Sequence, residues 1–263
     1  MKIVVTIKQV PDTTEVKLDP RTGTLIREGV PSIINPEDKN ALEEALKLKD
    51  TLGAHVVVIT MGPPQADDAL REALAMGADE AILLSDRAFA GADTWATATT
   101  LGMAIQKIGE YDLILAGRQA IDGDTAQVGP QLAEYLGIPQ ITYVTELTLT
   151  DGSVRAKRKL EDGYEIIEAP LPALLTITKE ANKPRYPTAP GIITAYRARQ
   201  VTLWTSKDLG AEPGTLGLEG SPTQVRRSFS PPAKEPGETI TAPPEEAARQ
   251  ILSRLKARNI IQG

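Results

Sequence analysis

Short apolar runs alternate with helical stretches along the first half of this chain, and that alternation limits the fold more than any other feature. Residues 3–8, 55–60, 80–84 and 112–116 are strand-like, while helical spacing of apolar residues fills about 36–52, 65–76, 94–108 and 125–136. A crossover helix between parallel strands must return over the sheet with a right-handed turn. The order therefore predicts an α/β fold: a doubly wound, mostly parallel sheet with helices on both faces.

The helix boundaries are well marked. Asn35-Pro36-Glu37-Asp38 places a cap residue, a proline at the first helical position and acids in the first turn, and Gly53 closes that helix. Asp93 or Thr94 can cap the helix that ends near Gly109. Residues 16–28, containing Asp19-Pro20-Arg21-Thr22-Gly23-Thr24, predict a small hairpin between the first strand and the first helix. After residue 138 the character becomes β, with strands expected at 140–150, 154–160, 164–168 and 173–178 and turns at Asp151-Gly152 and Asp162-Gly163, extending the same sheet.

Beyond about residue 205 compact patterning is lost. Residues 210–243 are rich in Pro, Gly and Ser, and an amphipathic helix follows in which Ala248, Ile251, Leu252 and Leu255 share one face. A lone helix of this length is marginal in water. The expected division is a nucleotide-binding domain at 1–204 and an arm at 205–263 that docks on another subunit, with folding back on its own domain as the alternative.

With 41% hydrophobic residues in 263, the chain can bury a real core, yet no apolar run approaches the roughly 20 residues of a membrane span. Met1-Lys2-Ile3-Val4-Val5 opens directly as a strand, without the zones of a secretion signal, so a cytoplasmic protein is expected. There is no cysteine, which excludes disulfides, iron–sulfur ligation and thiolate catalysis, and the single His55 cannot build a histidine metal site. No Ser-His-Asp arrangement is visible, so neither a catalytic residue nor a metal site is expected. Redox chemistry would have to come from a bound organic cofactor. A net charge of -6 argues against nucleic-acid binding, although Arg155 to Lys159 and Arg197 to Arg199 are basic patches suited either to an acidic partner or to plain solvated surface.

Gly117 to Gly129, GRQAIDGDTAQVG, is the stretch richest in functional signals. Asp112 to Ala116 before it is strand-like, and Val128, Leu132, Ala133 and Leu136 recur at helical spacing until Gly137. Asp124 sits where an N-cap belongs and Gln127 lies three residues on, predicting a helix start near residue 125. In an open α/β sheet such a loop lies at the carboxyl end of a strand, where nucleotides bind and a helix start favours a phosphate by roughly 0.3–1 kcal/mol per charge. Together with Asn35 to Asp38 and Thr60-Met61-Gly62-Pro63, it outlines one elongated cleft. Asp122 and Asp124 would repel a phosphate and are better suited to sugar hydroxyls and capping, leaving the amides of Thr125 to Val128 for pyrophosphate and Arg118 to balance charge. Thr94 and Thr97 could present hydroxyls to a flat ring or ribityl chain; capping and surface threonines explain them as well.

These residues resemble the β subunit of electron-transfer flavoproteins. The matching motifs are Lys8-Gln9-Val10-Pro11-Asp12, Asn35-Pro36, Ala73-Leu74-Ala75-Met76-Gly77-Ala78-Asp79, Gly117-Arg118-Gln119-Ala120-Ile121-Asp122 and Pro172-Ala173-Leu174-Leu175-Thr176. Lys183-Pro184-Arg185-Tyr186 before Pro190 resembles the family's loop that docks partner dehydrogenases. Most members hold a structural AMP in the loop after Gln119. Here Gly123-Asp124-Thr125-Ala126-Gln127-Val128-Gly129-Pro130 and Gly91-Ala92-Asp93-Thr94 look like the electron-bifurcating branch, whose β subunit binds a second FAD in that place.

The resemblance implies an adenine-nucleotide-hydrolase-like sheet and a heterodimer with an α subunit carrying the other FAD. It implies NADH as hydride donor, with electrons divided between ferredoxin or flavodoxin and the α-subunit flavin leading to an acyl-CoA dehydrogenase. The implied cofactor contacts are Thr6, Lys8, Asn35, Asp38, Thr60, Met61, Asp93, Thr94 and Thr97, with Gly117, Arg118, Gln119, Ala120, Asp122, Gly123, Asp124, Thr125, Ala126, Gln127, Val128 and Gly129. Tyr186, Ala189, Pro190 and Ile192 are the implied partner-docking residues, with a small Ala189 where a larger apolar anchor is common. Two alternatives stand beside this reading: a non-bifurcating β subunit holding AMP, and a stand-alone adenine-nucleotide sensor or hydrolase. The latter has no use for the arm and lacks a Gly-x-x-x-x-Gly-Lys-Ser/Thr phosphate loop.

Overall fold

The computed structural model describes residues 1–12, 31–212, 214–226, 229 and 237–261. In chain order, β1 (Lys2–Thr6) is followed by a short antiparallel pair, β2 (Gln9–Pro11) with β3 (Ser32–Ile34), and then by α1 (Pro36–Leu52). Next come β4 (His55–Met61), α2 (Asp67–Met76), β5 (Glu80–Leu84), α3 (Thr94–Ile108), β6 (Leu113–Gly117) and α4 (Val128–Leu136). The β-rich part contains β7 (Gln140–Thr150), β8 (Ser153–Lys159), β9 (Tyr164–Pro170) and β10 (Ala173–Ile177). It is followed by α5 (Ala189–Arg197), β11 (Val201–Trp204) and α6 (Pro244–Ala257). The hairpin expected at 16–28 lies outside the described residues.

Among the described residues, nine strands form one sheet in the order β11-β5-β4-β1-β6-β10-β7-β8-β9. All neighbours from β11 to β7 are parallel, and only β8 and β9 run antiparallel, closing the sheet as a hairpin extension. Strand alternation distributes the core. Ile3, Val5, Val56, Val58, Leu113 and Leu115 face α1 and α2, whereas Val4, Val57, Ile59 and Ile114 face α3 and α4. Both faces are covered, so the sheet is doubly wound, as the βα alternation predicts.

From β1 the chain moves to β4 and β5 on one side and then crosses to β6 on the other, which puts the topological switch point between β1 and β6. Ligands of open α/β sheets bind at that point, outside the carboxyl ends of the strands. Here those ends are Thr6, with Lys8 two residues on, and Gly117.

The first compact unit runs from Met1 to Arg226, past the expected boundary at 204. Strand β11, beyond the strands expected from the sequence, adds a parallel edge to β5, and Leu216 is buried in the core. Ser206 ties to Asp86 through backbone N and hydroxyl at 3.0 and 2.6 Å, and the Asp86 carboxyl is held down at about 2, chiefly by that hydroxyl. In the second unit, from Arg227, α6 buries none of its residues; Ile251 and Leu252 are about half exposed, and Arg254 pairs with Glu238. No helix among the described residues is long and apolar enough to cross a membrane.

Candidate functional site

The three helix-start segments do converge on one edge of the sheet. Ile7 N donates to Ile59 O at 3.0 Å, holding the end of β1 beside the Thr60-Met61 end of β4. Across the switch point, the Asp38 carboxylate accepts from Lys8 N at 2.7 Å and from Gly117 N at 3.1 Å. One side chain in the first turn of α1 thus staples the ends of β1 and β6. Its burial pushes the carboxyl up to about 7, against Asn35, the two backbone N–H groups and Lys8, which pull it down.

The rest of that turn grips the loop. Asn35 Nδ2 donates to Gln119 O at 2.8 Å, and Asn35 Oδ1 accepts from Ile121 N at 3.0 Å. Glu37 Oε2 accepts from Gln119 N at 3.1 Å and Arg118 Nε at 3.2 Å. The Arg118 guanidinium lies 5.7 Å from the centre of the Tyr143 ring, and Tyr143 stands at a β-bulge with φ 58°. The roles of Glu37 and Tyr143 are not legible in the sequence, because their partners are far away in the chain; an acid beside a helix-start proline has the local signature of a dipole complement and no more.

Beyond Ala120 the loop departs from the expected form. Asp124 does not cap α4: it has φ 49°, and its carboxylate accepts from Gln119 Nε2 at 2.7 Å. The helix starts at Val128 with Gln127 in the cap position, and no side chain bonds the first-turn amides. Ala126 is also left-handed, with φ 53°, a conformation that an alanine adopts only under local constraint. Among the described residues, no acceptor meets the N–H groups of Thr125, Ala126, Gln127 or Val128. Gly123, Asp124, Thr125 and Gln127 are exposed, while Gly129 is buried where a Cβ would stand 2.6 Å from Thr176 Cγ2, so its lack of a side chain lets α4 start close against β10.

Asp122 is paired with Lys8, whose Nζ reaches its Oδ1 at 2.6 Å. Each expected carboxylate therefore has a cationic or amide partner, and the expected repulsion of a phosphate is blunted. On the opposite side Asp93 does cap α3, accepting from Ala96 N at 3.0 Å, and its other oxygen takes Thr223 N and Oγ1 at 3.0 and 2.7 Å. Thr94 Oγ1 donates to Gln127 Oε1 at 3.2 Å and joins the start of α3 to the loop. Thr97 sits in the next turn, partly exposed. Thr6 and Thr60 are buried; Thr60 Oγ1 is wholly enclosed without a partner among the described residues, on the α1 and α2 face of the sheet. Met61 is partly exposed beside it.

The implied docking residues lie elsewhere, along α5 and the segment before it. Arg185 forks onto Glu43 at 2.9 and 3.0 Å and reaches Asp50 at 2.8 Å, and Asn182 bonds Asn40 and Glu44, so the middle of α1 holds this segment. Tyr186 is 91% exposed just beyond that anchor. Ala189, Pro190 and Ile192 belong to the first turn of α5 rather than to a loop. That helix packs on α2, with Arg71 donating to Ala195 O at 2.8 Å and lying over the Tyr196 ring.

A mostly parallel sheet with a donor-lined loop at its switch point defines the class: an α/β protein with the architecture of nucleotide-binding sheets. Residues 22–208 match the electron transfer flavoprotein domain, and the chain belongs to the electron transfer flavoprotein family, among its β subunits. It is 59% identical over 263 residues to the caffeyl-CoA reductase-Etf complex subunit CarD of Acetobacterium woodii, covering 99% of this chain and 100% of that one. It is 57% identical over 261 residues to the electron transfer flavoprotein subunit beta of Clostridium acetobutylicum, with 99% and 100% covered. The acryloyl-CoA reductase electron transfer subunit gamma of Anaerotignum propionicum is 46% identical over 269 residues, again with 99% and 100% covered.

Proposed function

We propose that the chain is the β subunit of an electron-bifurcating electron-transfer flavoprotein, that it holds FAD along the 117–129 loop, and that it pairs with an α subunit carrying a second FAD. Bound flavin supplies hydride acceptance from NADH and one-electron release, with one electron leaving to ferredoxin or flavodoxin and one to the α-subunit flavin and an acyl-CoA dehydrogenase.

The donor set fits such a cofactor. Amides from Thr125 to Val128, without acceptors of their own among the described residues, suit a pyrophosphate, and Lys8 and Arg118 supply positive charge already moderated by Asp122 and Glu37. The observation that carries FAD over AMP is the contact between loop and α3. The Thr94–Gln127 hydrogen bond extends the polar wall beyond the loop to the start of α3, where Trp95 follows Thr94 in the chain and is 40% exposed. AMP is short and leaves that second wall without a task; a flavin and its ribityl chain are long enough to use it. The names of two relatives join an electron-transfer subunit to an acyl-CoA reductase, in keeping with a dehydrogenase-type partner docking at Tyr186, Ala189, Pro190 and Ile192.

Anaerobic addition of NADH to the purified heterodimer tests the reading. Rapid flavin bleaching is expected. A spectrum that NADH leaves untouched, while a chemical reductant bleaches it, would reject bifurcation from this site.

A further inference from the structure

Asn35 and Asp38 are expected from the sequence to touch the nucleotide, yet their side chains are committed elsewhere. Asn35 is fully buried with its amide spent on Gln119 O and Ile121 N, and Asp38 is 7% exposed with its oxygens taken by Lys8 N and Gly117 N. Glu37, likewise 7% exposed, accepts from Gln119 N and Arg118 Nε. Five hydrogen bonds from three nearly consecutive side chains thus fix the backbone from Gly117 to Ile121 and the Arg118 side chain, and a sixth holds Lys8 N just past the end of β1. All originate in one rigid element, the start of α1, where Pro36 at the first helical position fixes the chain direction.

We infer that Asn35, Glu37 and Asp38 are positioning residues: they preset the cofactor loop from behind, and cofactor retention depends on them without their touching the cofactor. This rests on the reading that the 117–129 loop holds a nucleotide cofactor. The physical reason is preorganisation. The loop carries two non-glycine residues in left-handed conformations, Asp124 and Ala126, and such a segment keeps one shape only when its anchor is over-determined. A loop held in its binding shape before the ligand arrives loses less conformational entropy on binding. Glu37 adds a second effect, because the carboxylate that holds the Gln119 amide also directs Arg118, the guanidinium expected to balance cofactor charge.

The test uses the full-length chain, stripped of nucleotide, with Glu37→Ala and Asn35→Ala; Glu37→Gln and Asn35→Asp, which keep an acceptor, serve if either alanine variant fails to fold. Amide hydrogen exchange is read along the chain, and FAD and AMP are titrated in separate arms. Exchange at residues 117–121 is expected to rise about tenfold or more with β4 and α3 unchanged, and binding of whichever probe the wild type retains to weaken about tenfold. Glu37→Gln should recover most of the protection. Weaker binding with unchanged exchange would mean direct contact and overturn the inference, as would no change in either. If the wild type binds neither FAD nor AMP, the cofactor reading fails instead, and the exchange arm alone decides whether the clamp exists.

Discussion

Asp38 is packed against Gly117 so closely that a Cβ at position 117 would stand 2.2 Å from Asp38 Oδ1 and 2.7 Å from its backbone N. The contact lets the carboxylate accept the Gly117 N–H, and it ties α1 to the switch point of the sheet. Gly117→Ala is therefore expected to destabilise the chain by about 1–3 kcal/mol, since backbone as well as side chain must shift to admit one methyl group. Urea unfolding checks this. A variant as stable as the wild type would contradict the contact.

The same staple gives stability an unusual dependence on pH. Burial raises the Asp38 carboxyl from its ordinary 3.8 to about 7, so between about pH 4 and 7 the unfolded chain releases this proton while the folded chain keeps it. The contribution is fully present below about pH 4 and is lost as pH rises toward 7, by at most about 4 kcal/mol. Asp79, Asp86 and Asp93, whose carboxyls are lowered, act in the opposite sense, contributing stability that disappears in acid. The difference between the wild type and Asp38→Asn isolates the staple. Unfolding free energies of the nucleotide-free proteins should converge or cross as pH rises from 4 to 8; parallel curves would contradict the assignment.

Two aspartates that look alike in sequence as helix caps should behave differently. Asp93 caps α3 and also holds Thr223, so Asp93→Ala is expected to destabilise by about 1–2 kcal/mol. Asp124 caps nothing and is exposed, and Asp124→Ala should stay within about 0.5 kcal/mol in the absence of ligand. Thermal melts of both variants without nucleotide decide the matter. Equal losses would restore Asp124 as a cap.

Tyr186 projects from the segment that Arg185 anchors to α1 and is almost wholly exposed. If Tyr186 anchors the proposed dehydrogenase-type partner, Tyr186→Ala is expected to leave stability within about 0.5 kcal/mol and to lower electron transfer to that partner about tenfold or more, as loss of an exposed aromatic anchor does at an interface. Steady-state reduction of the partner, compared with nucleotide content, checks this. Full coupling in the variant would remove Tyr186 from the docking surface.

Much of this architecture is legible in the sequence because its signals are local. Proline at the first helical position and Gly53 fix α1 at Pro36–Leu52, and Asp93 and Gly109 bracket α3 at Thr94–Ile108. Local reasoning fails where a distant partner decides. The Asp124 and Gln127 spacing suits a capping box, but Gln119 takes the Asp124 carboxylate and Thr94 takes Gln127, so the loop remains irregular up to Val128. Likewise β11 has little amphipathic pattern, and what recruits Val201 to Trp204 is the open edge of β5, far away in the chain. The segment from Gly117 to Gly129 is legible as a loop; the hydrogen bonds it receives from Asn35, Glu37 and Asp38 are not, because those residues act across the fold.

The most direct measurement is the identity and amount of nucleotide released when the purified heterodimer is denatured. Two FAD per heterodimer and no AMP are expected if the loop from Gly117 to Gly129 holds the bifurcating flavin. One FAD with one AMP would contradict that claim and leave the chain as the AMP-holding subunit of a single-flavin carrier.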